Sequence, residues 1–321
     1  MHTPFHRRFT TLSLLTLLAL LLAACGGAPT AQPTQAPAIT TDTPATRPTI
    51  VVTYSVLGSV VRDLVGDAAE VVVPMPNGQD PHEWEPSARD IETIMKADVV
   101  VQNGLGLEGG MEKTLEQAQA AGVKFFTAAE HITIRTVGEG EGLPTGDPDQ
   151  AVGAEDPHLW MDPLAMKSVV TALAAQLKSD LGLDVSARAT SLSAQLDELN
   201  TELAAEVAKL PEANRRLVTG HESLGYFAQR YGFTLVGAII PAITSQAEVS
   251  AGDLASLKQL IEQNQVRAIF TELGTPPQVA QAIGQETGVK VVELTTHALP
   301  EDGSYFTFMR NLTAVITQGL A

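Results

Sequence analysis

Residues 49–65, TIVVTYSVLGSVVRDLV, decide the fold of this chain. The first six of these residues are all β-branched or aromatic, a composition typical of a strand. The residues from 56 to 65 carry their apolar side chains at helical spacing. A strand followed at once by a helix, when it recurs along a chain, predicts a parallel sheet covered by helices.

The same alternation recurs on both sides of a long helical stretch. Before that stretch, further strands are predicted at 70–74, 98–102 and 123–127, and helices at 87–97 and 111–121. After it, strands are predicted at 216–219, 234–239, 268–271 and 290–294, and helices at 223–231, 251–264, 277–286 and 305–320. The pattern therefore predicts an α/β protein of two similar lobes, each with a parallel sheet.

The stretch between the lobes, residues 166–210, is almost wholly helical in composition, and Gly182 is expected to interrupt it. The piece from 185 to Pro211 contains no glycine and would span about 40 Å at about 1.5 Å per residue. Such a helix is long enough to join two lobes. We therefore predict a first lobe at 49–184, a connecting helix at 185–210 and a second lobe at 211–321.

The N-terminus has the features of a secretory signal at residues 1–24. Arg7 and Arg8 precede an apolar stretch, residues 12–22, that is too short to span a bilayer as a helix. The stretch leads into Leu-Ala-Ala-Cys, which resembles a bacterial lipobox and implies cleavage before Cys25 and lipidation of that residue. Residues 25–48 are rich in Pro, Thr, Ala and Gln, which predicts a flexible tether.

The chain is acidic, with a formal net charge of −17, and this argues against nucleic acid as a partner. Acidic residues are prominent in the segment 137–157, which is also rich in Gly and Pro and breaks the alternation of strands and helices. We interpret this segment as a long, solvated loop, in preference to a weak metal-recruiting one.

Four of the five histidines beyond the signal lie in distinctive contexts. His82 and His158 share the pattern Asp-Pro-His-x-Trp, in which the proline restricts the backbone and helps to aim the imidazole. His221 and His297 follow predicted strands of the second lobe. Ligands of open α/β sheets bind beyond the carboxyl ends of the strands, and imidazole is a preferred ligand of zinc, copper, nickel and iron.

With these motifs, the chain resembles the metal-binding solute-binding lipoproteins of zinc and manganese ABC importers. The resemblance covers residues 49–320 and is carried by DPHEWEPSARD (80–90), QNGLGLE (102–108), DPHLWMDP (156–163), GHESLGYFAQRYGF (220–233), IFTELGTPPQVAQAIGQETGVKVVEL (269–294) and SYFTFMRNLTAVI (304–316). It implies two lobes joined by one long rigid helix, with a metal site in the cleft. It further implies an extracytoplasmic monomer, anchored to the membrane by lipid on Cys25, that delivers its metal to an ABC permease and its ATPase.

The resemblance also implies a ligand set. His82 and His158 fall on ligand positions of the first lobe, and His221 falls on the third position. Many relatives carry an aspartate at the fourth position, where this chain has His297; Glu293 and Asp302 remain nearby alternatives. A site of four imidazoles favours Zn²⁺ over Mn²⁺, which prefers oxygen ligands. Glu272 is interpreted as a partner of a ligand imidazole, with a plain structural role as the alternative.

Other functions fit the sequence less well. His221 and Glu222 superficially resemble part of a zinc hydrolase motif, but the second histidine of His-Glu-x-x-His is absent. A site closed by four protein ligands also leaves no position for a reactive water, which indicates binding and not catalysis. A binding protein for chelated iron, and an adhesin or metal buffer, are further alternatives. His131 is expected on the surface or at a helix end, and Trp84 and Trp160 beside the site.

Overall fold

The computed structural model describes residues 47–139, 141 and 151–321. The predicted signal at 1–24, the lipidated Cys25 and nearly all of the tether at 25–48 lie outside these residues, as does the middle of the predicted loop at 137–157. Among the residues described, no helix combines the length and the apolar character needed to cross a membrane.

The first lobe is built on a parallel sheet with strand order β2-β1-β3-β4. Its elements are β1 (Thr49–Val52), α1 (Ser55–Val65), β2 (Glu70–Val72), α2 (Ala88–Met95), β3 (Val99–Gln102), α3 (Glu112–Ala120) and β4 (Lys124–Thr127). Alternate residues of β1 point to opposite faces, so that Ile50 packs in the cluster that contains α1 while Val51 packs with α2 and α3. Helices therefore cover both faces, as the buried run of β1 predicts.

Two long helices follow the first sheet. The first, α4 (Pro163–Leu181), begins where the Asp162 carboxylate accepts the backbone N–H of Leu164, and it ends at Gly182 in the left-handed conformation. The second, α5 (Ser186–Val207), buries an aliphatic stripe: Leu192, Leu196, Leu199, Leu203 and Val207. This helix packs against α4, against α1 of the first lobe and against the C-terminal helix.

The second lobe repeats the first. Its elements are β5 (Arg216–Thr219), α6 (Gly225–Tyr231), β6 (Thr234–Ala238), α7 (Ala251–Gln263), β7 (Ala268–Thr271), α8 (Pro277–Thr287), β8 (Lys290–Glu293) and α9 (Tyr305–Leu320). The parallel strand order is β6-β5-β7-β8, the same arrangement as in the first lobe. The predicted fold class, two similar α/β lobes with parallel sheets and a long helix between them, is confirmed.

Candidate metal centre

The two Asp-Pro-His segments fold in the same way locally. In each, an aspartate oxygen accepts the backbone N–H of the histidine two residues later: Asp80 Oδ1 accepts from His82 and Asp156 Oδ1 from His158, both at 2.9 Å. This is the short side-chain-to-backbone turn that aspartate favours. The motif therefore fixes the backbone from which each imidazole projects.

Four imidazoles from separate segments converge at one point. The residues are His82, His158, His221 and His297, and one ring nitrogen from each lies within 4.8 Å of the others. Nε2 of His158 is 3.3 Å from Nε2 of His82 and 3.2 Å from Nε2 of His221. None of the four residues is more than 4% exposed, so water cannot satisfy these nitrogens freely. Four nitrogen donors in a buried space can hold a transition metal ion.

His158 is held by residues of its own lobe. Its Nδ1 lies 2.9 Å from Asp156 Oδ1, while the other oxygen of Asp156 accepts a hydrogen bond from Arg135 Nη1 at 3.1 Å. Both side chains of this support are buried, and Arg135 also pairs with Glu141. A carboxylate on Nδ1 orients the ring and leaves Nε2 to face the centre of the cluster.

Glu272 links both histidines of the second lobe. It accepts the backbone N–H of His221 at 2.9 Å, and its Oε1 lies 3.0 Å from His221 Nδ1, although not aligned for a hydrogen bond. Its Oε2 accepts the hydroxyl of Thr296 at 2.5 Å, and Thr296 Oγ1 is 2.8 Å from His297 Nδ1. Because Thr296 donates its one proton to Glu272, it accepts from His297 Nδ1–H. The buried Nε2 of His297, which has no hydrogen-bond partner among the residues described, is therefore unprotonated and free to bind a metal.

The electrostatics of the cluster favour the neutral form of His82 and His297 and the charged form of Glu272. Burial, followed by the neighbouring imidazoles, lowers the pKa of His82 well below its usual value. Burial and His221 do the same to the pKa of His297. Burial is the largest influence on the pKa of His221 and acts to lower it, but Glu272, Asp80 and Asp156 together outweigh burial and raise that pKa. Burial would raise the pKa of Glu272, whereas its interactions with His221 lower it to about 2. A buried carboxylate thus supplies negative charge beside the four rings.

Residues 50–319 match the family described as "Zinc-uptake complex component A periplasmic". The chain belongs to this family. Members of the zinc-uptake component A family are metal-binding components of ABC importers, and the protein is accordingly not an enzyme.

Individual relatives in the component A family differ in the metal that they are named for. The chain is 26% identical to the "Manganese-binding lipoprotein MntA" of Halalkalibacterium halodurans, over 85% of this chain and 88% of that protein. It is 28% identical to the "High-affinity zinc uptake system protein ZnuA" of Bacillus subtilis, over 90% of this chain and 89% of that protein. The structure of the "periplasmic zinc binding protein TroA" of Treponema pallidum superposes with a TM-score of 0.70 at 25% identity, covering 86% of this chain and 99% of TroA.

In this member of the zinc-uptake component A family, one further residue named from the sequence lies beside the cluster and three are exposed. The Trp160 ring is fully buried, with ring centres 5.2 Å from His158 and 5.6 Å from His297. His131 is exposed and stacks on Phe126. Glu293 is exposed and lies outside the cluster. Exposed Asp302 accepts hydrogen bonds from Ser304 and Thr307 at the start of α9.

Several residues around the cluster have a supporting role that was not predicted from the sequence. The aspartates at 80 and 156 could have been found, because the repeated Asp-Pro-His pattern places an acceptor two residues before each histidine. Arg135 and Thr296 carry no such signal: Arg135 is 21 residues from its partner Asp156, and Thr296 is 24 residues from Glu272.

Proposed function

We propose that this protein captures Zn²⁺ outside the cytoplasm through His82, His158, His221 and His297 and delivers it to an ABC permease and its ATPase. The observation that carries the proposal is the spacing of the Nε2 atoms, 3.2 and 3.3 Å. Tetrahedral zinc with nitrogens at about 2.0–2.1 Å has ligand atoms about 3.3 Å apart. The Nε2 atom of His158 thus lies at the ligand spacing of a tetrahedral zinc site from the Nε2 atoms of His82 and His221.

The chemistry of the donors supports zinc over manganese. All four donors are imidazole nitrogens, and two buried carboxylates, Asp156 and Glu272, face the Nδ1 atoms of His158 and His221. Manganese prefers carboxylate, carbonyl and water oxygens, whereas imidazole suits zinc. Manganese is the second candidate, because a relative of similar identity is named for manganese binding.

Equilibrium dialysis with metal analysis tests the proposal. We expect about one zinc per chain, and we expect His82→Ala or His158→Ala to weaken binding by at least about 100-fold, since each removes a donor to the metal. His131→Ala is the matched control, because His131 is exposed and outside the cluster. Absence of stoichiometric zinc in the wild-type protein would overturn the proposal.

The fourth donor decides the metal preference. His297→Ala should weaken zinc binding, and His297→Asp should shift preference from zinc toward manganese, because it replaces a nitrogen donor with oxygen. Competition between zinc and manganese, with copper and nickel as further competitors, measures both effects. Full zinc affinity in His297→Ala would exclude His297 as a ligand.

The anchor has a separate test. We propose that lipid on Cys25 holds the protein, as a monomer, at the outer face of a membrane; no cysteine other than Cys25 occurs in the chain. Cys25→Ser should move the exported protein from the membrane fraction to the aqueous fraction after detergent phase partition. Retention of the variant in the membrane fraction would contradict lipidation at this residue.

A further inference from the structure

The four histidines differ in whether the opposite lobe also supports the segments that carry them. His158 is supported by Asp156 of the first lobe, and His221 by Glu272 of the second lobe, so each of these two is held by its own lobe. The segments that carry His82 and His297 are instead gripped by side chains from the opposite lobe. This division has a consequence for metal release.

Two side chains of the second lobe form hydrogen bonds with the segment that carries His82. Ser245, which follows β6, donates its hydroxyl to Asp80 Oδ2 at 2.6 Å, and the other oxygen of Asp80 holds the backbone N–H of His82. Gln246 donates from Nε2 to the carbonyl oxygen of His82 at 3.0 Å. Both Asp80 and Ser245 are buried. Hydrogen bonds in such a site are hard for water to replace.

A side chain of the first lobe likewise forms hydrogen bonds with the segment that carries His297. The Asn77 side chain, which follows β2, pairs with the backbone of Leu299 at both of its polar groups. Nδ2 donates to the Leu299 carbonyl at 2.9 Å, and Oδ1 accepts the Leu299 N–H at 2.8 Å. Leu299 lies two residues beyond His297, so this pair holds the backbone from which the imidazole projects.

The close approach of the two segments depends on a glycine. Gly274 has a positive φ of 86°, and a Cβ built there would stand 3.3 Å from Ser245 Cβ and 3.4 Å from Asp80 Oδ2. Any larger residue would therefore combine backbone strain with crowding of the Asp80–Ser245 pair. The backbone at this point leaves room for the contact between lobes.

We infer that Asn77, Ser245 and Gln246 form an interlobe clasp: positioning residues that hold His82 and His297 in place only while the lobes are together. The inference rests on the proposed zinc function. When the lobes separate, the backbone segments of His82 and His297 lose the hydrogen bonds from the opposite lobe, although Thr296 still contacts His297 Nδ1. His158 and His221 keep the carboxylates of their own lobes. The clasp therefore couples separation of the lobes to loss of two ligands, and metal release begins at these two.

Zinc release into excess chelator, followed by stopped flow on the full chain, tests the clasp. Ser245→Ala and Asn77→Ala should each accelerate release about threefold to tenfold, because each removes hydrogen bonds of modest net worth, and the double variant should release faster than either. Ser245→Thr, which keeps the hydroxyl, should restore slow release. The matched control is Arg230→Gln, which breaks an interlobe ion pair with Asp162 that touches no segment carrying His82 or His297.

Amide hydrogen exchange on the metal-free protein separates the clasp from the zinc proposal. Ser245→Ala should raise exchange in the peptide that contains His82, Asn77→Ala should raise it in the peptide that contains Leu299, and Arg230→Gln should raise neither. Release at the wild-type rate in both alanine variants, equal acceleration in Arg230→Gln, or unchanged exchange would overturn the clasp. A wild-type protein that binds no zinc would instead overturn the proposed function, and the exchange result would still decide the clasp.

Discussion

A single hydroxyl determines which nitrogen of His297 is available. Thr296 stands between Glu272 and His297 Nδ1, and its one proton goes to the carboxylate. Thr296 must therefore accept from the imidazole, which leaves Nε2 unprotonated. The arrangement resembles the carboxylate support of metal-bound histidines in general, with one hydroxyl inserted between the carboxylate and the ring.

Removal of that hydroxyl should weaken zinc binding. Thr296→Val keeps the shape of the side chain but breaks the connection, and we expect an affinity loss of about 10- to 100-fold, the usual cost of losing an outer partner of a metal ligand. Chelator competition measures the affinity. Thr287→Val is the control, because the Thr287 hydroxyl bonds only within α8, to the Ile283 carbonyl. Equal affinity for Thr296→Val and wild type would refute this role.

At the residue scale, part of the cluster was predictable. His82 and His158 stand out because the Asp-Pro-His pattern occurs twice. In each copy, the aspartate can accept the backbone N–H of the histidine two residues later. No short-range sequence pattern predicts the contacts of Thr296 and Ser245. Ser245 meets Asp80 across 165 residues of sequence, and only the packing of two lobes brings them together.

Among the elements, α5 contributes to the packing of both lobes. Its buried leucines belong to one continuous apolar cluster that includes residues of α1 and of α9. A helix that shares its core with both lobes resists bending, because a bend would expose apolar surface on at least one side. The helix is thus a stiff connection between them.

Truncation of that core should destabilise the whole protein. Leu199 is fully buried in α5, and Leu199→Ala should lower the free energy of unfolding by about 2 to 5 kcal/mol, through lost burial and the cavity that remains. Urea denaturation followed by circular dichroism measures the change. Glu198→Ala, one residue earlier on the exposed face, should alter stability by less than about 0.5 kcal/mol. Similar effects for the two variants would contradict the packing described for α5.

The observed starts of two helices differ from those that the sequence patterns predict. The helix predicted at 223–231 begins at Gly225, because Ser223 donates its hydroxyl to Glu272 and its backbone N–H bonds the His221 carbonyl. A tertiary contact thus replaces the first turn. The helix predicted from residue 166 begins at Pro163, with Asp162 as its N-cap, and that Asp-Pro signal was available in the sequence.

At the scale of the whole molecule, histidines from both lobes meet in one cluster, so a metal bound by all four would tie the lobes together. A metal that binds only the folded state should add about 2.7 kcal/mol of stability at a free concentration 100 times the dissociation constant. We therefore expect zinc to raise the melting temperature, and a chelator to reverse the increase. Calorimetry with His158→Ala as control checks this: the variant should show little zinc-dependent increase, and an increase equal to that of the wild type would place the stabilising metal elsewhere.

The lobes themselves were predictable at this scale, whereas their contact was not. Two runs of alternating strands and helices predict two parallel sheets, because each run by itself has the pattern of a parallel sheet covered by helices. Nothing in either run specifies which loop of one lobe meets which loop of the other. The meeting of Asn77 with Leu299, 222 residues apart, follows from the packing of both lobes on α5 and α9.

Trp160 gives this protein an intrinsic optical signal. The indole is fully buried, contacts the rings of His158 and His297, and donates from Nε1 to the Thr296 carbonyl, so it touches cluster histidines of both lobes. Zinc binding should therefore change its fluorescence emission. The chain has only one other tryptophan, the partly exposed Trp84, so Trp84→Phe leaves a single emitter. A titration of that variant with zinc should follow the dialysis isotherm without any attached dye, and emission that stays constant through saturation would contradict this consequence.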